Sequence, residues 1–316
     1  MDDRIRSMLF QRPSSIPVSV GILPAAWRKH REALDDLVSE FPGLFGSNAN
    51  PRDYDAVYGT YVEGRHVDVW GCVWENIHTG REAIVTGHPY PTRESVRSIR
   101  PPEKDAGFPH GFMFLRITDL RGFEEAMVDF AEEPPELRLL IDTVLEYNLR
   151  QADLLLRQLG EPQIVSFGDD LGMQTSLPIS PEKWRKWLKP CFAAIYRKFR
   201  DAGHWVYMHT DGHILEIIPD LIDCGVNVVN PQVRANGIDN LARIAKGRVC
   251  IDLDLDRQMF PFCTPADVDA HVREAVEKLG SPEGGLWLKA EIGDDVPLPI
   301  CRAIFEALER YRFFFS

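Results

Sequence analysis

The feature that most constrains this chain is a regular alternation of short apolar strands with amphipathic helices, which begins near residue 160. A parallel sheet is the expected result, because parallel neighbouring strands need a crossover connection that is usually a helix. Ser180, Pro181 and Gly203 are residue types that begin and end helices, and they bound the first helix of the series. The predicted strands are residues 163–170, 205–210, 226–231, 248–255 and 285–292, and the predicted helices are residues 180–203, 213–224, 237–246, 265–279 and 298–312.

Upstream of residue 160 the pattern is less regular. Residues 50–108 are rich in Pro, Gly, Tyr and Trp, and we expect an irregular strand-and-loop insertion there that contains one barrel strand. With two further upstream strands and the five downstream ones, the predicted total is eight. The other predicted upstream elements are strands at residues 16–22 and 111–117 and helices at residues 25–41, 119–131 and 134–159.

Eight strands alternating with helices in a chain of 316 residues without a linker favour an α/β fold, the (β/α)8 or TIM barrel. We expect a single domain over residues 1–316, with residues 50–108 lying over the barrel mouth. An open doubly wound sheet would need a glycine-rich phosphate-binding loop after its first strand. The sequence GILPAAW at residues 21–27 contains no such loop, so the barrel is the preferred prediction.

Composition excludes several classes of partner. The net charge of -12, with no run of Lys and Arg, argues against nucleic-acid binding. The six cysteines form no CxxC pair and no zinc-finger spacing, which is typical of reduced thiols in the cytoplasm. No segment has the length and apolar character of an export signal or a membrane span. We therefore expect a cytoplasmic protein that acts on a small molecule and binds neither nucleic acid nor membrane.

Polar side chains are concentrated where the predicted strands end, which is where active sites of such barrels lie. Because strand side chains alternate, His209 and Asp211 share one face of their strand. Burying several carboxylates close together costs free energy unless a cation or a shared proton compensates them. The residues at these ends are Asp169, Asp170, His209, Asp211, Asn230, Gln232, Asp252, Asp254, Asp256, Arg257, Lys289 and Glu291.

Several of these strand-end residues, considered singly, also have a purely structural explanation. Asp211, followed by Gly212, could form a turn and cap the next helix, which is a common role for aspartate. His209 could be a hydrogen-bonded core histidine, and Lys289 with Glu291 could be a structural ion pair. A metal ion, a cationic substrate or shared protons explains the whole collection better, and these alternatives stay open at this point.

Three stretches of sequence together resemble the uroporphyrinogen decarboxylase superfamily. They are SFGDDLGMQTSLPISPEKWRKWLKP at 166–190, the H-x-D-G of residues 209–212 and ILEIIPDLIDCGVNVVNPQ at 214–232. The resemblance implies a (β/α)8 barrel and, as in many members, a homodimer. The superfamily includes true decarboxylases of the heme pathway, relatives of cobalamin-independent methionine synthase, and methyltransferases that work with corrinoid proteins.

The resemblance is nearer to the methyltransferase branch than to the heme branch. True decarboxylases carry an arginine-rich R-x-P-x-W-x-M-R-Q-A-G-R segment that holds propionate groups. Here the equivalent segment is QRPSSIPVSVGILPAAW at residues 11–27, which lacks the M-R-Q-A-G-R part. This difference argues against uroporphyrinogen as the substrate.

The methyltransferase branch binds zinc through H-x-C after one strand and a cysteine after the last. The resemblance therefore implies a metal site at His209, Asp211 and Glu291, with carboxylates where the branch has thiolates. Imidazole and carboxylate suit Zn²⁺, and also Fe²⁺ or Mn²⁺. The alternative is that the site has lost its metal and the carboxylates transfer protons alone.

The expected function is that of a metal-dependent methyltransferase, which moves a methyl group from a small methoxylated or methylated substrate to a corrinoid protein or a similar acceptor. The alternative is a metal-free decarboxylase of a porphyrinogen or another electron-rich carboxylic acid. A non-catalytic binding protein is a third class. The expected catalytic residues are Asp169, Asp170 and Asp252, and the expected substrate-binding residues are Gln174, Asn230, Gln232, Arg257 and Lys289.

Overall fold

The structure is a computed structural model that describes residues 2–46 and 52–316. Within these residues no helix combines the length and apolar character that crossing a membrane requires. The strands are β1 (Val18–Ile22), β2 (Gly64–Val67), β3 (Val73–Asn76), β4 (Ile84–Gly87), β5 (Ile164–Gly168), β6 (Trp205–Thr210), β7 (Val226–Pro231), β8 (Cys250–Asp254) and β9 (Leu286–Ile292).

The helices occupy most of the remaining chain. They are α1 (Asp3–Met8), α2 (Pro24–Ser39), α3 (Pro42–Phe45), α4 (Arg93–Val96), α5 (Phe114–Arg121), α6 (Phe123–Glu132), α7 (Pro135–Leu156), α8 (Pro181–Trp187), α9 (Lys189–Asp201), α10 (Ile218–Asp223), α11 (Val233–Asn236), α12 (Ile238–Ile244), α13 (Pro265–Leu279) and α14 (Leu298–Tyr311). A short 3-10 helix spans Gly59–Tyr61.

The described residues form two compact units. The first unit takes those within Met1–Gly64, Asn76–Ala83 and Gln232–Ser316, and the second unit takes Arg65–Glu75 and Ile84–Pro231. The predictions of one domain over the whole chain and of an insertion over a barrel mouth stay predictions.

In the first unit the parallel strands lie in the order β1, β9, β8. Val20 lies opposite Ala290, and Leu253 lies opposite Leu288. Every residue of β8 is buried, which is typical of parallel strands covered by helices on their faces. Helix α13 packs against α14, and α14 packs against α2, so the strands and helices of this unit enclose an apolar core.

In the second unit the parallel strands lie in the order β5, β6, β7. Phe167 lies opposite Met208, which lies opposite Val229 on the other side. Aromatic rings pack around Phe167 with centroids 5.1–5.6 Å apart, and they bury this residue of β5 in an apolar core. These rings belong to Phe108, Phe112, Tyr196 and Phe199.

The predicted strand–helix rhythm after residue 160 is confirmed, and the bounds of β6, β7 and α13 match the prediction. The Ser180 hydroxyl accepts a hydrogen bond from the Lys183 N–H, which confirms the predicted cap. The predicted helix at 180–203 is divided at Leu188, before Pro190, into α8 and α9. The predicted helix at 213–224 is shorter than expected, because α10 begins only at Ile218.

The predicted strand at residues 111–117 is wrong. Helix α5 begins there, and the buried Asp169 carboxylate accepts the backbone N–H groups of residues 113–115 at its start. The Asn148 amide donates to the Phe112 carbonyl, and no strand of the described residues lies in this segment. A short apolar run cannot by itself distinguish a buried strand from a buried helix.

The barrel strand predicted within residues 50–108 is also wrong in the described part of that range. Strands β2, β3 and β4 form a separate three-stranded sheet, in which β3 and β4 are antiparallel. Every residue of β2 is exposed, whereas parallel barrel strands are buried on both faces. Six parallel strands are therefore observed among the described residues, rather than the eight predicted.

Candidate functional site

Asp169 joins the end of β5 to the start of α5. Its Oδ2 accepts from the N–H groups of Met113 and Phe114 at 2.9 and 2.6 Å, and its Oδ1 accepts from Leu115 at 2.9 Å. The first N–H groups of a helix have no partner within the helix and favour a negative charge. Burial raises the pKa of Asp169 to about 7, and the three N–H donors act in the opposite direction. The carboxylate therefore fixes the segment that precedes α5.

His110 lies on that segment and contacts Asp170. The Gly111 N–H donates to the Gly168 carbonyl at 2.8 Å, and a Cβ on Gly168 would lie 2.5 Å from His110 Nδ1. His110 Nε2 lies 3.1 Å from Asp170 Oδ2. The hydrogen bond to Asp170 raises the pKa of His110 against its burial. Burial acts to raise the pKa of Asp170, but His110 and other donors lower it overall.

His209, near the end of β6, is oriented by Asn230 on β7. His209 Nδ1 lies 2.6 Å from Asn230 Oδ1, and the two residues are register partners. Because an amide oxygen only accepts, Nδ1 carries a proton. His209 Nε2 lies 3.3 Å from Asp211 Oδ1, and the His209 and His110 ring centroids lie 5.6 Å apart. Two imidazoles and two carboxylates therefore meet at the ends of β5 and β6.

The loops after β5 and β6 cross in direct backbone contact. The Asp211 N–H donates to Asp170 Oδ1 at 3.0 Å, and the Gly172 N–H donates to the Asp211 carbonyl at 3.2 Å. Gly212 has φ of +82°, and a Cβ there would lie 2.3 Å from the Gly172 carbonyl atoms. The turn expected at 211–212 is present, but Asp211 does not cap the next helix, because Ile217 is the N-cap of α10.

A second polar cluster in the second unit surrounds Arg116, and sequence reasoning did not identify it. The buried Arg116 guanidinium lies 2.5 Å from Asp68 Oδ2 and 3.9 Å from Asp119 Oδ2. Burial raises the pKa of Asp119 to about 6, although Arg116 lowers it. Burial likewise raises the pKa of the neighbouring Cys72 to about 12, so its sulfur is a neutral thiol.

In the first unit the strand-end carboxylates meet basic side chains. Glu291 on β9 forms an ion pair with the Arg257 guanidinium, and Asp256 lies 2.9 Å from the Arg234 guanidinium. Asp254 on β8 is buried and lies opposite Lys289 in the register. The ion pair of Glu291 in this structure is therefore with Arg257.

The predicted site residues divide between the units. The structure brings His209 together with Asp211 and Asn230, and it brings Arg257 together with Glu291. Gln174 is exposed in the loop after β5. The second unit holds Asp169, Asp170, Gln174, His209, Asp211 and Asn230, and the first unit holds Gln232, Asp252, Arg257, Lys289 and Glu291.

His110 is the site residue that sequence reasoning missed. Ligand atoms of His110, Asp170 and His209 all lie within 4.8 Å of one another. The available signal was a histidine directly before Gly111, ahead of an apolar run. The strand predicted at 111–117 places His110 at the start of a strand. The predicted site residues are those at strand ends, so they do not include His110.

Comparison with known proteins identifies the family. The sequence profile described as uroporphyrinogen decarboxylase (URO-D) matches residues 114–310, which is more than half of the chain, whereas no curated protein matches. A methyltransferase from Methanosarcina mazei has a similar fold, with a TM-score of 0.64 at 19% identity over 99% of this chain and 98% of that chain. A dihydropteroate synthase from Xanthomonas albilineans has a TM-score of 0.32 at 15% identity, over 46% and 53%, and carries no argument. The chain belongs to the uroporphyrinogen decarboxylase family.

Proposed function

We propose that this chain is a methyltransferase that moves a methyl group from a small methoxylated or methylated substrate to a corrinoid protein or a similar acceptor. The proposal includes a (β/α)8 barrel and a divalent metal ion, with zinc as the first choice, bound through His209. Two findings support it: the chain belongs to the URO-D family, and a methyltransferase shares its fold along nearly the whole of both chains.

The observation that carries the proposal is the environment of His209. Asn230 holds Nδ1, so Nε2 is the ring nitrogen left for a ligand role, and it lies 3.3 Å from Asp211 Oδ1. An outer hydrogen bond that fixes the tautomer is the usual support of a metal-binding histidine. A nitrogen lone pair facing a carboxylate needs a proton or a cation between them. The residues present therefore fit a divalent ion bound through His209, and the resemblance implies Asp211 and Glu291 as its further ligands.

A divalent ion bound there would supply Lewis acidity toward a methoxy oxygen. Asn230 orients His209, and the Asp211 N–H orients Asp170. The His209 and Asp170 side chains are therefore held in place before a substrate arrives. Asp169 is fully buried, and we assign it a positioning role. Asp170 and Asp252 remain the proposed acid or base groups, and the proposed substrate contacts remain Gln174, Asn230, Gln232, Arg257 and Lys289.

Methyl transfer from a methoxylated phenol to reduced cobalamin tests the proposal, with methylcobalamin absorbance as the readout. We expect methylcobalamin from the wild-type protein and none above background from His209→Ala. The matched control is His66→Ala, which removes an exposed histidine of the same unit. Release of CO2 from uroporphyrinogen without any methyl transfer would instead establish the alternative decarboxylase function and overturn the proposal.

A further inference from the structure

We infer that His110, Asp170 and His209 bind the divalent ion, as a set of two imidazoles and one carboxylate within the second unit. The inference rests on the proposed function for the presence of a metal. It replaces Asp211 and Glu291, the further ligands that the resemblance implies, by His110 and Asp170, so Asp170 is then a ligand and not an acid or base group. Ligand atoms of the three residues lie within 4.8 Å of one another. Nothing in the family resemblance points to His110.

Each of the three side chains is held by a contact outside the cluster and presents another polar atom to the other members of the cluster. His209 is held at Nδ1 by Asn230, and Asp170 is held at Oδ1 by the Asp211 N–H. The Nδ1 side of His110 packs against Gly168, while its Nε2 lies 3.1 Å from Asp170 Oδ2. Outer contacts of this kind orient metal ligands and are as much a part of such sites as the ligands themselves.

The spacing suits coordination to one ion. Two donor atoms at about 2.1 Å from a tetrahedral ion lie about 3.4 Å apart, and the His110 and Asp170 atoms are 3.1 Å apart. The His110 side chain is 48% exposed, so solvent or a substrate can approach this side of the cluster. Three protein ligands with an open position are the arrangement of catalytic rather than structural zinc.

The chemistry of the donors limits the ion. Imidazole and carboxylate select Zn²⁺, Fe²⁺ or Mn²⁺ over ions that prefer sulfur. Burial raises the pKa of Cys72, Cys191 and Cys224 in the same unit to about 12, so these sulfurs are neutral thiols in the metal-free protein. Glu291, the competing candidate, forms its ion pair with Arg257.

Metal titration tests the ligand set without any turnover assay. The full-length protein is stripped with a chelator and titrated with Co²⁺, whose visible absorption reports imidazole ligands, and Zn²⁺ competition gives the Kd. We expect one ion per chain in the wild-type protein. We expect His110→Ala, Asp170→Asn and His209→Ala to weaken binding by more than the 10–100-fold that loss of an outer partner costs. Asn230→Ala removes such an outer partner, so the change in its Kd is the reference against which the three ligand variants are compared.

Two further variants decide between the ligand sets. Glu291→Gln and the histidine control His66→Ala should bind with the wild-type Kd and the same cobalt spectrum. Unchanged Kd in His110→Ala, or a loss in Glu291→Gln equal to that in His209→Ala, would overturn the inference. So would a wild-type protein that binds no Co²⁺ or Zn²⁺. Equal thermal unfolding of the metal-free variants shows that the fold is intact, and His110→Gln replaces His110→Ala if that variant unfolds. Metal binding by this set without methyl transfer would overturn the proposed function alone.

Discussion

The strand ends of the two compact units carry acidic residues in similar numbers but with different partners. In the first unit, Glu291 and Asp256 meet the guanidinium groups of Arg257 and Arg234. In the second unit, Asp170 and Asp211 lie beside imidazoles, and Asp169 accepts backbone N–H groups. The same residue type therefore serves different purposes in the two units.

The identity of the partner determines what a carboxylate can do. A guanidinium is permanently charged and is not a metal ligand, so its carboxylate is neutralised in place. An imidazole can lose its proton and bind a metal together with the same carboxylate. This difference is the reason for proposing the metal site in the second unit.

The largest expected effect comes from the loop crossing in the second unit. Gly212→Ala adds a Cβ at φ of +82° and 2.3 Å from the Gly172 carbonyl atoms. We expect a loss of about 3 kcal/mol in the free energy of unfolding, from backbone strain and overpacking together. Urea unfolding measures it. Gly160→Ala, with nothing within 4 Å of the added Cβ, is the matched control and should change stability by less than about 0.5 kcal/mol.

Asp169→Asn should have the next largest effect. The amide has one oxygen where the carboxylate has two, so its NH2 group would face an N–H donor at the start of α5. We expect a loss of about 2 kcal/mol, the cost of an unsatisfied buried donor. The exposed Asp201→Asn is the control. Equal stability of the two variants in urea would show that the three hydrogen bonds do not hold the segment that carries His110.

A pH-dependent effect on stability is expected at Asp119, which lies in the polar cluster around Arg116. Its pKa is raised to about 6 from 3.8, so the folded protein binds more protons than the unfolded chain between these values. Stability contributed by this group is therefore present at low pH and is lost as the pH rises toward 6. We expect Asp119→Asn to remove a fall of about 1–2 kcal/mol between pH 4.5 and pH 7. Parallel stability profiles of variant and wild type would contradict this.

The smallest effect is expected in the first unit. The Arg257 side chain is 37% exposed, so its ion pair with Glu291 is partly screened by water. We expect Glu291→Gln to lower the free energy of unfolding by less than about 1 kcal/mol, in chemical denaturation at low salt. If Glu291→Gln lowered the free energy of unfolding as much as Asp169→Asn, the strand-end carboxylates of the two units would not differ in the way described.

The part of the fold after residue 160 could be predicted from sequence because its signals are local. Apolar periodicity, the Ser180 cap and glycine stops fix strands and helices without reference to distant residues. The segment at 111–117 could not be predicted in this way. Its helix begins where Asp169 accepts N–H groups from residues more than fifty positions earlier, and no local pattern records that bond.

The candidate site shows the same limit. His209 and Asp211 are two positions apart on one strand, so the alternation of side chains predicts their proximity. His110 reaches them only through tertiary packing against Gly168 and Asp170. The exposed residues of β2 carried a usable local signal against a barrel strand, since such strands are apolar on both faces.

The packing of His110 on Gly168 has a consequence for reading other sequences. A side chain at the last position of β5 would occupy the place of the imidazole, so the two positions are sterically linked. A relative with a larger residue at the position of Gly168 should lack a histidine at the position of His110. A relative that has both the glycine and the histidine should pack them against each other in the same way. Gly168 together with His110 can therefore serve as a search criterion for this arrangement in other sequences, although the two residues lie far apart in the chain.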